Sequence, residues 1–313
     1  MMTFFRVFVV VLWCSILIAA QTPSSSIPYV TPDTPFGTGA YQAIMEVDPS
    51  LPTHTVYRPA KLAALGSKNL PIIAWGNGAC VNVGNHFRQF LTEIASHGYL
   101  VIAIGPIGPK EMEAAPQPPV PGAPPAPPPS GPPATEASQL IDAINWALKE
   151  NGRKGSPYFG KLDIKNLGAM GQSCGGVQAI KASADPRITM TISWNSGLLP
   201  TPNPGMENVS KEALAKLHAP IAYFNGDPSD IAHKNGKDDF ERVNNLPVLF
   251  AWRQGVGHSG TYRKANGGEF GKVAVAYLNW RMKGDKNAAK MFVGKDCGLC
   301  SDKNWHVFKK KID

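Results

Sequence analysis

A strand that passes through a tight turn directly into a helix is the feature that most constrains the fold of this chain. The apolar run at 167–170 leads into a Gly-x-Ser-x-Gly pattern centred on Ser173, and residues 177–182 have the composition of a helix. Such a sharp reversal forces the turn residue into a strained conformation with positive φ, and flanking glycines let strand and helix approach without Cβ collisions. The pattern predicts that the Ser173 hydroxyl stands clear of a sheet, at a helix N-terminus.

Short apolar runs without clean alternation recur on both sides of this turn, which is typical of a parallel sheet covered on both faces. The predicted strands that share this character are 70–75, 100–104, 189–194, 221–224 and 248–252. The intervening predicted helices are 87–96, 136–150, 177–184, 211–217, 238–243 and 270–282. Ahead of them, 40–47 and 55–58 predict two antiparallel strands. The pattern indicates one doubly wound α/β domain over 40–300, with a mostly parallel sheet.

The N-terminal 39 residues have a different character from the rest of the chain. Residues 1–20 carry a single charge, Arg6, then an apolar stretch and a small-residue end at Ala20, which predicts a secretory signal peptide. A membrane anchor is the alternative interpretation, but the apolar stretch is short for a spanning helix. Residues 21–39, rich in Pro, Ser and Thr, are predicted to be extended. We therefore expect secretion, without stable membrane insertion after cleavage.

Charge and composition argue against nucleic-acid binding. The formal net charge is +8, but the basic residues are dispersed except at 309–311, without interleaved aromatic residues. Residues 301–313 are accordingly interpreted as a solvated basic tail. A Pro-rich insertion at 116–133 follows a predicted strand and is either a tolerated surface insertion or a lid or docking arm beside the site.

Cysteine usage supports passage through an oxidising compartment. Four cysteines remain once a signal peptide containing Cys14 is removed, and an even number predicts two disulfides. Cys297 and Cys300 can pair with each other, although a Cys-x-x-Cys pattern can also be redox-active or bind metal. Asn208 begins the glycosylation sequon Asn-Val-Ser in a polar loop.

A serine hydroxyl needs a base and an orienting acid to act as a nucleophile, and both types of residue follow in loops at predicted strand ends. His258 lies in a glycine-flanked loop after 248–252, and Asp230 follows 221–224, with Asp227 in the same loop as the alternative acid. The order Ser173, Asp230, His258 is the one expected of α/β-hydrolases. No histidine pair has convincing zinc spacing, so no metal or other cofactor is expected.

An oxyanion hole requires two N–H donors. One would come from Cys174, and the other from Asn77, or alternatively Gly78, in the small-residue turn after 70–75. If these two loops meet, Cys80 comes within disulfide reach of Cys174, which we state as a hypothesis. Trp194, at a predicted strand end, is a candidate for lining a substrate pocket, with core packing as the alternative.

The elbow at Ser173, the glycine turn at residue 76, the loop 226–232 and the sequence around His258 together resemble the α/β-hydrolase superfamily. Within it, residues 35–300 are most similar to secreted dienelactone-hydrolase-like and cutinase-like polyester esterases. The chain differs from them in its Pro-rich insertion, in Cys174 where Met is usual, and in Asn77 where an aromatic residue is usual. The resemblance implies an α/β-hydrolase fold and a metal-free serine hydrolase that acts through an acyl-enzyme.

The sequence therefore predicts a secreted serine esterase of the cutinase or lipase type, with a Ser-His-Asp triad and a small-molecule or polymeric ester as its substrate. We expect a monomer. Two alternatives remain open: an amide or peptide hydrolase with the same machinery, and a non-catalytic secreted binding or effector protein with a hydrolase fold.

Overall fold

The computed structural model describes residues 37–113 and 132–312. Three sequence predictions fall wholly or largely beyond these ranges. The predicted signal peptide at 1–20 lies wholly outside the described residues. So does the predicted extended segment at 21–39 as far as residue 36, and the Pro-rich insertion at 116–133 as far as residue 131.

A nine-stranded mixed sheet, with strands in the order β1-β2-β4-β3-β5-β6-β7-β8-β9, forms the centre of the described chain. The strands are β1 Ala43–Glu46, β2 His54–Pro59, β3 Leu70–Gly76, β4 Leu100–Ile104, β5 Leu162–Gln172, β6 Met190–Trp194, β7 Ile221–Gly226, β8 Val248–Arg253 and β9 Trp305–Lys310. Strands β3 to β8 run parallel to one another. At one edge β1 pairs antiparallel with β2, and β2 with β4; at the other edge β9 pairs antiparallel with β8. The predicted mostly parallel sheet with an antiparallel N-terminal pair is confirmed.

Helices cover both faces of this sheet, as the continuous apolar strands require. The α-helices are α1 Arg88–Ser96, α2 Ala137–Gly152, α3 Cys174–Ala182, α4 His233–Arg242, α5 Gly268–Lys283, α6 Lys286–Ala289 and α7 Gly298–Ser301. One core packs α1 and α5 against Ile73 and Trp75 of β3. The other face of the same strand, with Ile72 and Ala74, packs against α2 and α3. The structure is thus of the α/β class. None of the helices in residues 37–113 and 132–312 is both long and apolar enough to cross a bilayer.

Two predicted helices differ from those in the structure. The segment predicted as an α-helix at 211–217 is the 3₁₀ helix Lys211–Lys216. The helix predicted at 238–243 begins earlier, at His233, because the Asn235-Gly236 pair, which reads as a helix breaker, lies inside α4. A Cβ on Gly236 would collide with the carbonyl of Ser196 and the amide of Asn225, so close packing of α4 explains this glycine.

The C-terminal segment is part of the sheet, where the sequence predicts a solvated tail at 301–313. β9 pairs with β8 along its whole length, from Val248↔Lys310 to Arg253↔Trp305. Trp305 is buried in the core, and the ammonium group of Lys310 donates to the carbonyl oxygens of Phe240 and Val243 near the end of α4. Lys310 therefore satisfies carbonyl groups at the end of α4, and the prediction of a solvated tail is wrong.

Candidate active site

Ser173 occupies the turn between β5 and α3, near the middle of the sheet. Its φ is 53° and its ψ is −116°, a conformation that L-residues rarely adopt. The backbone N–H of Ser173 donates to the Trp194 carbonyl at 2.9 Å, and the Ser196 hydroxyl donates to the Ser173 carbonyl at 2.6 Å. These contacts hold the strained turn against the end of β6.

The glycines around Ser173 are required by the close approach of β3, β5 and α3. A Cβ on Gly175 would collide with the backbone of Gly76, and one on Gly171 would collide with the backbone of Gly175. Gly175 N–H also donates to the Asn77 carbonyl at 3.0 Å. The small residues therefore bring the loop after β3 directly against the first turn of α3.

The three residues predicted as a triad lie together at the carboxyl edge of the sheet. His258 Nε2 lies 2.9 Å from Ser173 Oγ, and His258 Nδ1 lies 2.7 Å from Asp230 Oδ1. The Asp230 side chain is fully buried, whereas 28% of the His258 side chain is exposed. This arrangement can pass a proton from the serine to an imidazole that a buried carboxylate orients.

Four hydrogen bonds hold the Asp230 carboxylate as an anion. Besides His258, it accepts the N–H groups of Gly226 and Ala232, each at 2.9 Å, and the Asn195 amide at 2.7 Å. Burial raises the pKa of this carboxyl, but the hydrogen bonds from His258, Ala232 and Asn195 outweigh it and hold the pKa below its ordinary value. Asp230 is therefore an ionised partner for His258.

The alternative acid, Asp227, has a different role in the same loop. Its carboxylate accepts the N–H and hydroxyl of Ser229 at 2.9 and 2.6 Å, and the Gly255 N–H at 2.8 Å. These bonds close a turn and join the loop after β7 to the loop after β8. The structure thus brings Asp230, rather than Asp227, to His258.

Asn195 and Tyr262 extend the triad by two further residues that the sequence analysis missed. The Asn195 amide nitrogen donates to Asp230 and, at 3.2 Å, to the Gly257 carbonyl, while its oxygen accepts the Tyr262 hydroxyl. Asn195 and Tyr262 are both fully buried, and Asn195 has a positive φ of 39°. The position of Asn195 directly after a strand end was the available signal, because such positions converge at the carboxyl edge of the sheet.

The residues predicted for an oxyanion hole lie on either side of the elbow. Cys174 is the first residue of α3, where N–H groups have no intrahelical acceptor. Asn77 precedes a 3₁₀ turn, Gly78–Cys80, and its side chain is engaged with Trp75 Nε1 and the Ile104 carbonyl at 3.0 and 2.7 Å. The Asn77 side chain is therefore already occupied by contacts within the protein.

Two cysteine pairs lie at disulfide distance. Cys80 and Cys174, with Cα atoms 5.3 Å apart, join the loop after β3 to the elbow. Cys297 and Cys300 pair with each other around α7. No cluster of three or more His, Cys, Asp or Glu side chains suited to a metal occurs in the described ranges.

The structure does not bring Trp194 to an accessible surface. Its indole is fully buried and stacks on Phe224 with ring centroids 4.7 Å apart, with Phe90 and Phe270 packed around it. These contacts place Trp194 in the aromatic core beneath the elbow. The sequon residue Asn208, in contrast, is exposed in the segment between β6 and β7.

No protein-family model matches this chain. A search of curated proteins likewise finds no significant match.

Proposed function

We propose that this chain is a secreted serine hydrolase of the α/β-hydrolase superfamily that cleaves carboxylic esters through an acyl-enzyme. The observation that carries the proposal is the continuous hydrogen-bonded series from Ser173 Oγ through His258 to Asp230, with the serine at a turn of positive φ. A strained nucleophile on a strand-to-helix elbow, followed in the chain by acid and then base, is typical of this superfamily.

In the proposed reaction, Ser173 Oγ attacks the ester carbonyl while His258 Nε2 takes the hydroxyl proton. The tetrahedral intermediate collapses as the C–O bond to the leaving alcohol breaks, and His258 returns the proton to that alcohol. Water then attacks the acyl-enzyme with His258 again as base, which releases the carboxylic acid and restores the Ser173 hydroxyl. Asp230 remains ionised and stabilises the imidazolium in both half-reactions.

The negative charge that develops on the carbonyl oxygen would be stabilised by the backbone N–H groups of Cys174 and Asn77. Both lie on elements held by buried contacts, so little reorganisation is needed when the charge develops. The N-terminal dipole of α3 favours the same charge. No metal ion or cofactor has a part in this mechanism.

Secretion is part of the proposal and has separate support. The predicted signal peptide at 1–20, two cysteine pairs at disulfide distance, and an exposed sequon at Asn208 are all typical of proteins from an oxidising secretory pathway.

Hydrolysis of p-nitrophenyl esters from acetate to palmitate, beside the matched p-nitroanilides, tests the reaction class. We expect turnover of esters and much slower turnover of anilides, and the chain-length profile defines the acyl preference. Ser173→Ala should lose activity by at least about 10⁴-fold, because the nucleophile is removed while the fold remains.

Two results would contradict the proposal. Faster cleavage of the anilides would favour the amide hydrolase. Absence of turnover by folded wild-type protein with every ester would favour the non-catalytic binding protein. Asp227→Asn is the matched control for Asp230→Asn, since both carboxylates belong to one loop but only Asp230 contacts His258.

A further inference from the structure

We propose that the Cys80–Cys174 disulfide positions the oxyanion hole, by fixing the loop after β3 against the nucleophile elbow so that N–H groups from both converge on the substrate carbonyl. This inference rests on the proposed ester hydrolysis. It assigns a part in the reaction to a bond that would otherwise be regarded as a stabilising cross-link.

The Cys80–Cys174 disulfide lies between the elbow and the loop after β3. Cys174 directly follows Ser173 and opens α3, and Cys80 ends the 3₁₀ turn Gly78–Cys80 that begins after Asn77. The disulfide therefore joins the two backbone segments that carry the proposed donors. It joins residues 94 positions apart in the sequence whose Cα atoms are 5.3 Å apart in space.

The backbone of the loop after β3 is strained at two residues. Ala79 and Cys80 both have a φ of 51°, so two consecutive non-glycine residues occupy the left-handed region. Such residues persist only where the surrounding structure over-determines their conformation, and they are concentrated at functional sites. The covalent bond at Cys80 supplies one such constraint, at the second of the two strained residues.

Hydrogen bonds also hold this loop, at the carbonyl of Cys80. The Thr135 hydroxyl donates to the Cys80 carbonyl at 3.1 Å, and the Gln178 amide of α3 donates to the Thr135 carbonyl and hydroxyl at 2.7 and 3.0 Å. The loop is thus connected to α3 in three ways: by the Gly175 N–H to the Asn77 carbonyl, through Thr135 to Gln178, and through sulfur to Cys174. Of these links, only the disulfide is covalent, and it joins the loop to Cys174 itself, whose N–H is one of the two proposed donors.

The second cysteine pair provides a matched control. Cys80 and Cys174 are 1% and 0% exposed, beneath the site. Cys297 and Cys300 are three positions apart in the chain, and neither belongs to the elbow or to the loop after β3. Removing each pair in turn separates an effect on the oxyanion hole from the general effect of losing a disulfide.

The test compares Cys80→Ala/Cys174→Ala with Cys297→Ala/Cys300→Ala, both assayed at a temperature where circular dichroism shows the protein folded. We expect the first variant to lose about 100-fold in kcat with KM changed less than about threefold, because a displaced donor matters most in the transition state. Its affinity for an alkylboronic acid, which forms a tetrahedral adduct on Ser173, should fall in parallel. The control should keep kcat within about twofold of wild type.

A folded Cys80→Ala/Cys174→Ala variant with wild-type kcat and boronate affinity would overturn the inference.

If that variant does not fold, the Cys297→Ala/Cys300→Ala protein is reduced with a water-soluble phosphine. The phosphine becomes its oxide with an oxygen atom from water, and the two electrons and two protons convert the disulfide into two thiols. Loss of turnover while near-ultraviolet circular dichroism is retained supports the inference, and loss of both together overturns it. Failure of the proposed function itself is distinguished beforehand, since wild-type protein would then turn over no ester.

Discussion

The Tyr262 hydroxyl is a buried group that acts on the triad through one intermediary. It donates to Asn195, which in turn donates to Asp230. Tyr262→Phe leaves the Asn195 oxygen without this donor and loosens the amide that holds the carboxylate. Because a buried hydrogen bond contributes about 0.5–1.5 kcal/mol, we expect kcat/KM for a p-nitrophenyl ester to fall about threefold to tenfold.

The control for this change is Tyr277→Phe, since Tyr277 is also fully buried but its hydroxyl has no hydrogen-bond partner in the described part of the chain. Tyr277→Phe should leave kcat/KM within about twofold of wild type. Equal effects of the two variants would show that Tyr262 contributes through packing, and would contradict a positioning role.

The lowered pKa of Asp230 predicts how the free energy of unfolding depends on pH in the acidic range. Its pKa in the folded chain lies below the ordinary value, because hydrogen bonds outweigh the effect of burial. The unfolded chain therefore takes up a proton near pH 4 while the folded chain does not. The stabilisation from Asp230 is complete above about pH 4 and is lost as pH falls through the lower folded pKa.

Thermal unfolding between pH 2 and pH 7 tests this sign. Tm should fall more steeply below about pH 4 in wild type than in Asp230→Asn, whose side chain does not titrate. An acid limb of the same slope in both proteins would show that the Asp230 carboxylate is not stabilised by its hydrogen bonds.

Among the elements, the contact between β3 and α3 determines where the elbow lies. A methyl group on Gly175 would collide with the Gly76 backbone, which cannot move without disturbing β3. Gly175→Ala should therefore destabilise the fold by about 1–3 kcal/mol, as overpacking of a close contact does. Its ester turnover should also fall, because the collision displaces Ser173.

Chemical denaturation of Gly152→Ala provides the comparison. A Cβ at Gly152, in the last turn of α2, meets no atom within 4 Å. This second variant should be neutral or slightly more stable than wild type. A Gly175→Ala protein as stable and as active as Gly152→Ala would contradict the close approach.

The pairing of β9 with β8 predicts that a short C-terminal truncation strongly destabilises the fold. Removing residues 302–313 deletes β9, exposes the edge of β8 and removes Trp305, which is 4% exposed. Loss of that buried indole alone is expected to cost about 3–5 kcal/mol. A solvated tail could be removed without effect, so an unchanged Tm of the truncated protein would contradict the role of β9.

Sequence patterns predicted strands β1 to β8 but missed β9, for physical reasons. The strands β3 to β8 are covered on both faces, so their apolar runs are continuous and easy to recognise. β9 is an edge strand in which Lys310 bonds to carbonyl groups at the end of α4, and in the sequence its lysines are typical of a polar tail. Helix α4 was predicted too short because close packing, not local propensity, places Gly236 within it.

At the scale of the whole molecule, the proposed secretion predicts a processed and glycosylated protein. Expression in a eukaryotic secretory host should give a mature chain that begins near Gln21 and carries an N-linked glycan at Asn208, which is exposed. Deglycosylation by an amidase should reduce the apparent mass of wild type but not of Asn208→Gln. A secreted wild type without that shift would contradict modification at Asn208.

The triad residues could be predicted because each follows a strand in a recognisable chain order. The residues that only tertiary contacts bring to the triad could not be predicted. Ser173, Asp230 and His258 each follow a strand, in an order that sequence reasoning could use. Asn195 contacts Asp230 from 35 residues away in the chain, and Tyr262 contacts Asn195 from 67 residues away. No spacing rule connects them, since the sheet and the loops after β6 and β8 alone bring them together.

The most direct test of the proposed mechanism is covalent labelling of the mature wild-type protein with a fluorophosphonate, followed by peptide mapping. We expect one adduct per molecule, on Ser173, formed far more slowly in His258→Ala and absent in Ser173→Ala. Labelling at another residue, or no labelling of folded wild-type protein, would contradict a nucleophilic Ser173 and the acyl-enzyme with it.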